Sequence, residues 1–390
     1  MNEATSLFGA LSGDVSERLG DPITDKLTYS LVDQRPMPRF LAGSERATQT
    51  RERGLYHLLF YLRSGMGYKA TDPRDYVYAL LGLAEDREAL GIIPDYTQPV
   101  EDVFTDVTRR LVANGYTDSL AFALSTKATT GLPSWVPDWR SMSHVFFCTF
   151  RTAQDQPSLE TAHVTFDVAD KFRLPIRAAH VGTITKLAPA LPGGRDWATL
   201  MARGADPFTT TLLEWLSSVE NELLLSPAEE QAQYLNNSDP VVVGMTRRAQ
   251  DRARLARSLC AMRSPVSDTW RRDQPERYYH LLAAMFRDEA VYGSLEQDKM
   301  EKHKVQTYAA SILWHAKNQC RAFRLSSGHL GLASPGCEVG DEIVYFPGGS
   351  FPFVVREGVD AERELVGIAF VDDFRFWLMK QEPARVIVLR

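Results

Sequence analysis

Eight histidines, four cysteines, one basic run and one tryptophan-rich loop are the parts of this 390-residue chain with potential for chemistry, and their spacing limits what they can do. The histidines (His57, His144, His163, His180, His280, His303, His315, His329) are dispersed. His303 and His315 could share a helix, but twelve residues apart they would lie about 18 Å from one another along its axis, too far to share a metal ion. The cysteines (Cys148, Cys260, Cys320, Cys337) are widely spaced and include no Cys-x-x-Cys pair. That pattern fits reduced, mostly buried thiols better than a disulfide framework. The chain holds no Gly-x-Ser-x-Gly elbow, His-Glu-x-x-His pair or Ser-His-Asp order. Pro347–Ser350 (PGGS) is glycine-rich, yet it lacks the Lys-Ser/Thr ending of a phosphate loop and precedes a predicted strand, which argues against a nucleotide site.

The tryptophan-rich loop is Ser134–Trp139, SWVPDW, with two indoles four residues apart. Pro133 before them and Pro137 between them prevent a helix, so the indoles cap a core from a rigid loop, with Asp138 accepting backbone or indole hydrogens. The alternative is an aromatic-lined ligand site. Such a pocket is expected where this loop meets the C-terminal strands, with Trp135, Asp138, Trp139 and Arg356 as candidate lining residues. No residue is assigned a catalytic role and none a metal. Arg74 and Asp75 could bind an anion or a partner, or serve as capping plus an ion pair. Gly340-Asp341 reads as a hairpin turn in which glycine supplies positive φ and the aspartate bonds its own backbone. The stretch Arg247, Arg248, Arg252, Arg254, Arg257, with Arg263, reads as a solvated helix face, since a net charge of −6 argues against nucleic-acid binding.

The elements that must position these groups follow from periodicity. Leu55, Leu58, Leu59 and Leu62 predict a helix stopped by Gly65 and Gly67. Asp72 as N-cap and Pro73 in the first helical position start a second, with Tyr76, Ala79, Leu80 and Leu83 as its apolar stripe. A third begins near Pro99, buries Val100, Val103, Phe104, Val107 and Leu111, and stops at Asn114-Gly115. Strands are expected at His163–Val168 and Ile176–Leu187, then helices to about Cys320, the clearest carrying Val305, Tyr308, Ala309, Ile312, Leu313 and Ala316. Turn pairs between Leu224 and Pro240 suggest a surface connection. After residue 320 short strands dominate: Arg321–Leu325, Glu342–Phe346, Phe353–Arg356, Glu364–Phe370 and Arg385–Leu389.

The resulting expectation is an α+β fold, with helical N-terminal and middle regions packed against a small C-terminal antiparallel sheet or partial barrel. Its parts would be an irregular arm (1–52), a helical region (53–145), short strands (146–195), a second helical region (196–319) and a β-rich module (320–390) packed on the rest. A hydrophobic share of 44% supplies a large core, and no segment reaches the apolar length that crosses a bilayer. MNEATSLFGALSGDVSER carries no basic residue before Arg18, unlike a signal peptide, so the expected location is cytoplasmic.

Two segments carry a resemblance. ATDPRDYVYALLGL (Ala70–Leu83) and GLPSWVPDWRS (Gly131–Ser141), with Pro94–Tyr96 between them, resemble the region downstream of the heterokaryon-incompatibility (HET) domain in fungal protein families. Cys320–Arg356 resembles that family's closing module, in which an Arg-x-Phe strand leads to a Gly-x-Leu-Gly turn, a Gly-Asp, a Gly-rich hairpin and a Pro-Phe-x-x-Arg strand. ELVGIAF (Glu364–Phe370) is similar to the strand after it. The likeness covers roughly residues 55–140, 174–187 and 320–371. Two features depart from it. The nearest string to the HET domain's Leu-Ser-Tyr-x-Trp-Gly is Leu27-Thr28-Tyr29-Ser30, without Trp-Gly, and Phe370-Val371-Asp372-Asp373 stands where the family has Tyr-Val-x-Gly.

The resemblance implies an intracellular regulatory or interaction protein without the death-inducing domain. The alternative is a motif-free enzyme of fungal secondary metabolism, a cyclase, pericyclase or isomerase, because such reactions need only a shaped apolar pocket and a few polar groups. Whether the chain is an enzyme stays open between these. No cofactor is expected. The partner would be another protein or a small-molecule metabolite, with no membrane and no nucleic acid.

Overall fold

Period-3.6 patterning before residue 125 and period-2 patterning after residue 320 are matched by the elements that form. A computed structural model describes residues 54–59, 70–124, 127, 129–140, 170–190, 205–224, 247–259, 275–285, 319–372 (348 and 350 excepted) and 384–390, with single positions at 298, 301, 304, 305, 308, 312 and 315. In chain order the elements are α1 (Asp75–Leu81), α2 (Arg87–Leu90), α3 (Val100–Ala113), a 3-10 helix (Thr117–Leu124), β1 (Leu174–Leu187), α4 (Ala205–Leu223), α5 (Arg247–Leu259), α6 (Pro275–Met285), β2 (Arg321–Leu325), β3 (Leu330–Ala333), β4 (Glu342–Tyr345), β5 (Phe353–Glu357), β6 (Arg363–Val371) and β7 (Arg385–Leu389). The protein is α+β. The chain divides into two compact units.

The first unit comprises Gln34–Gly182, Gly340–Ala369 and Arg375–Arg390. Its longest helix, α3, buries Val103, Phe104, Val107 and Leu111, the face that the 3–4 spacing defines. Glu101 and Asp102 lie in its first turn and Arg110 in its last, each opposite in sign to the helix-end partial charge. Thr105 and Thr108 are buried on the same helix, and their hydroxyls donate to the carbonyls of Glu101 and Phe104, so neither hydroxyl is stranded. Gly115, at φ +89°, closes the helix by donating to Val112 O. Helical residues 55–59 bury Leu55, Leu58 and Leu59; Leu62 lies outside the described residues.

Helix α1 differs from the sequence expectation. It begins at Asp75, and its N-cap position is Arg74. Asp72 instead accepts the Arg74 backbone N–H (2.9 Å) and holds the Arg74 guanidinium, which also donates to Gln98 O at 2.8 Å. The buried positions are Val77, Tyr78, Leu80 and Leu81, while Ala79 and Leu83 are exposed. The seven-residue helix therefore buries a face shifted by about one residue from the expected stripe.

In the sheet of this unit, the first half of β1 runs antiparallel to β7, from Leu174 opposite Leu389 to Ala178 opposite Arg385. Strands β4 and β5 form a hairpin, and β5 pairs with β6 through an irregularity at Val354/Val355. Strand β6 meets β7 in parallel at Arg363 and Leu389. Phe346, Phe351 and Phe353 fill the space beneath, with ring centroids 5.0 Å apart for Phe346–Phe353 and 5.3 Å for Phe351–Phe353.

The second unit comprises Thr183–Val339 and Phe370–Phe374, with Met1–Asp33. Here the end of β1 pairs with β2, and β2 pairs antiparallel with β3. Strand β3 corrects the sequence reading, which made Gly328–Gly331 only a turn. Gly331 sits inside β3 because a Cβ there would lie 2.3 Å from both the Phe323 ring and Phe370 O. Helix α5 packs on β2, β3 and α6. Val305, Tyr308 and Ile312 are helical and buried, and Tyr308 donates its hydroxyl to Ala256 O; Ala309, Leu313 and Ala316 lie outside the described residues. So do the expected arm (1–52), His163–Val168 and the 225–240 connection.

Candidate functional site

The best-built site of the described residues surrounds the SWVPDW loop in the first unit. Lys127 reaches under this loop and donates to the carbonyls of Pro133 and Ser134. Burial pushes its ammonium down to about 8, with the charges of Asp138 and Glu364 pulling the other way. Ser134 ties the other side of the loop. Its backbone N–H and its hydroxyl donate to Arg390 O, and its Oγ accepts the Leu365 N–H at 3.0 Å. The loop is therefore stapled to β6 and to the residue after β7.

The four candidate residues fall into two groups. Trp135, Asp138 and Trp139 are all fully buried. The Trp135 indole donates to Phe172 O at 3.1 Å, and the Arg109 guanidinium stands 5.8 Å from its ring centroid. Asp138 accepts the backbone N–H groups of Thr129 and Arg140 and pairs with the Arg140 guanidinium. Trp139 packs on Phe122 with centroids 5.7 Å apart, and its buried Nε1 has no acceptor among the described residues. Arg356 is engaged elsewhere, gripping Asp341 through Nε (2.8 Å) and Nη2 (3.0 Å). That pair adds to the turn at Gly340-Asp341. Gly340 adopts φ +102°, and the Asp341 carboxylate is buried against an arginine on β5.

A cleft of about 340 Å³ opens beside the loop, lined by Gly131, Leu132, Pro133, Asp170, Phe172, Arg173 and Arg390. None of the four candidates lines it. Its walls are fixed from several directions. Arg109, projecting from α3, donates to the carbonyls of Asp170 (2.7 Å) and Arg173 (2.9 Å). Asp170 accepts the Phe172 N–H, which folds the 170–173 turn, and Lys171 pairs with Asp102 at 2.6 Å. The two lining arginines share one anchor, Glu362, which lies 2.5 Å from Arg173 Nε and 3.1 Å from Arg390 Nη1. That carboxylate is nearly buried. The sequence singled out neither Glu362 nor Arg173, because residues 173, 362 and 390 lie far apart along the chain and no local spacing links them.

The basic helix α5, in the second unit, carries ion pairs where a solvated face was expected. Arg252 pairs with Glu220, Arg254 with Asp251, and Arg257 with Asp372 at 2.8 Å through both Nε and Nη2. Asp251 is fully buried and also meets Arg324, whose Nη1 reaches Leu223 O at the end of α4. Here guanidiniums neutralise buried carboxylates and a helix C-terminus. Cys320 and Cys337 are buried, and burial raises the Cys320 thiol well above its ordinary range. Buried His315 is pushed down to about 3 by desolvation, so it is neutral at physiological pH.

No family model and no solved structure matches this sequence. No described helix is long and apolar enough to cross a membrane. Among curated proteins, the chain is 26% identical over 355 residues to the heterokaryon incompatibility protein 6, OR allele, of Neurospora crassa. The match takes in 78% of this chain and 48% of that protein, so the chain is similar, over most of its length, to a heterokaryon-incompatibility protein of which it spans about half.

Proposed function

We propose that this chain is a HET-like fungal regulatory protein that works by binding another protein in the cytoplasm. The observation that carries the reading is the similarity to the Neurospora incompatibility protein across most of the chain. Burial supports it: the SWVPDW residues most able to line a reaction site are spent on packing and internal hydrogen bonds, which suits a scaffold. The test is genetic and biochemical together. The chain is expressed as a fluorescent fusion in one of two otherwise compatible strains of a filamentous fungus, and heterokaryon growth is scored. The expected outcome is cytoplasmic fluorescence with altered heterokaryon growth. Unchanged growth in every pairing, or catalytic turnover of a small molecule by the purified protein, would overturn the proposal.

A further inference from the structure

The cleft beside the loop has features that the interaction reading does not use. Arg173 and Arg390 both line it, and both are held by the same nearly buried carboxylate. Arg173 meets Glu362 and Asp170 only through Nε, as charge contacts without an aligned hydrogen bond, and Arg390 donates only Nη1 to Glu362. The remaining guanidinium nitrogens have no acceptor among the described residues, and the two side chains stay 48% and 66% exposed. A guanidinium already fixed at one edge loses little rotamer freedom when its other edge meets a ligand, and a planar fork matches a carboxylate. The Arg390 main-chain oxygen is turned to Ser134, so it competes with no ligand for these donors.

The charge balance chooses the ligand. Each lining arginine is already partly neutralised by Glu362, and Asp170 also faces the site. With the Arg109 guanidinium on the Asp170 and Arg173 carbonyls, three arginines face two carboxylates, and a residual charge of about +1 suits a single negative charge better than a dianion. Phe172, 40% exposed, lines the same cleft and offers an apolar surface. Its backbone is held by Trp135 and Asp170, so the ring is presented from a fixed turn. The cleft volume is that of a small-molecule site.

We propose that this cleft binds a small organic monocarboxylate, its carboxylate on Arg173 and Arg390 and its apolar body on Phe172. The inference is independent of the protein-binding function, and its failure leaves that function untouched.

The probes are benzoate and acetate, titrated into the full chain and followed by saturation-transfer NMR. Benzoate should bind saturably and at least about threefold tighter than acetate, which lacks the ring. Arg173→Gln and Arg390→Gln should each weaken benzoate at least about fivefold, and Phe172→Ala should erase the preference for benzoate. Arg385→Gln removes an arginine that pairs with Glu342 and does not line the cleft, so it should leave binding unchanged. If Arg173→Gln fails to fold, Arg390→Gln alone decides, since that side chain is mostly exposed. No saturable benzoate binding, equal affinity for acetate, no loss in the deciding arginine variant, or equal loss in Arg385→Gln would each overturn the proposal.

Discussion

Replacing Lys127 by methionine tests whether a half-buried ammonium beneath the SWVPDW loop is held against its own preference. Two effects compete. Burial favours the neutral amine, whereas Asp138, Glu364 and the carbonyls of Pro133 and Ser134 favour the cation. Burial wins, and the ammonium is brought from 10.5 to about 8. The unfolded chain keeps this proton up to about 10.5, while the folded chain gives it up near 8. Between these values the unfolded state binds more protons, so stability must rise with pH. Integrating that difference, the wild type should gain about 1.3 kcal/mol between pH 7 and pH 9 relative to Lys127→Met, and about 2.5 kcal/mol by pH 10. The variant cancels every other titrating group, so the quantity to measure is the difference between the two proteins. Urea denaturation followed by tryptophan fluorescence at pH 7, 8, 9 and 10 supplies it. A flat difference would show that solvent, not desolvation, governs the amine. A difference that falls with pH would show that Asp138 and Glu364 dominate, and either result refutes the reasoning.

Four further outcomes follow from the packing. Trp139→Ala removes a fully buried indole from against Phe122 and should cost about 3–5 kcal/mol by denaturation, whereas Trp139→Phe should cost far less because no described acceptor is lost. Asp72→Ala should lower the melting temperature, and Asp72→Ser should recover most of that, since serine can still accept the Arg74 N–H; equal losses would assign the effect to the guanidinium contact. Arg257→Met takes a bidentate partner from nearly buried Asp372 and should destabilise by roughly 3–5 kcal/mol, with Arg257→Lys intermediate in thermal melting. Gly331→Ala places a methyl against Phe323 and Phe370 O and should lower stability by about 1–3 kcal/mol; a neutral melt would mean that β3 can shift.

The sequence by itself determined the elements whose cause is local. The 3–4 spacing of Val103, Phe104, Val107 and Leu111 fixed α3 and its buried face, and Asn114-Gly115 fixed its end. Short apolar runs between Gly- and Pro-rich turns marked β2, β4, β5, β6 and β7, and alternating β-branched residues marked β1, to within a few residues. Prolines around Trp135 and Trp139 were enough to make that segment a rigid loop with buried indoles. Tertiary structure decided what depends on distant partners. The buried face of α1 became Val77, Tyr78, Leu80 and Leu81, because what surrounds a seven-residue helix, and not its own spacing, chooses the face that is covered. Strand β3 exists because β2 supplies its ladder, although its first two residues read as part of a glycine-rich turn. The arginines of α5 look alike in sequence, yet the acids they meet come from positions 220, 251 and 372. The cleft was the least legible of all. Arg173, Glu362 and Arg390 acquire a shared role only when β1, β6 and β7 bring together residues more than 200 positions apart, and neither periodicity nor local spacing encodes a meeting of that range.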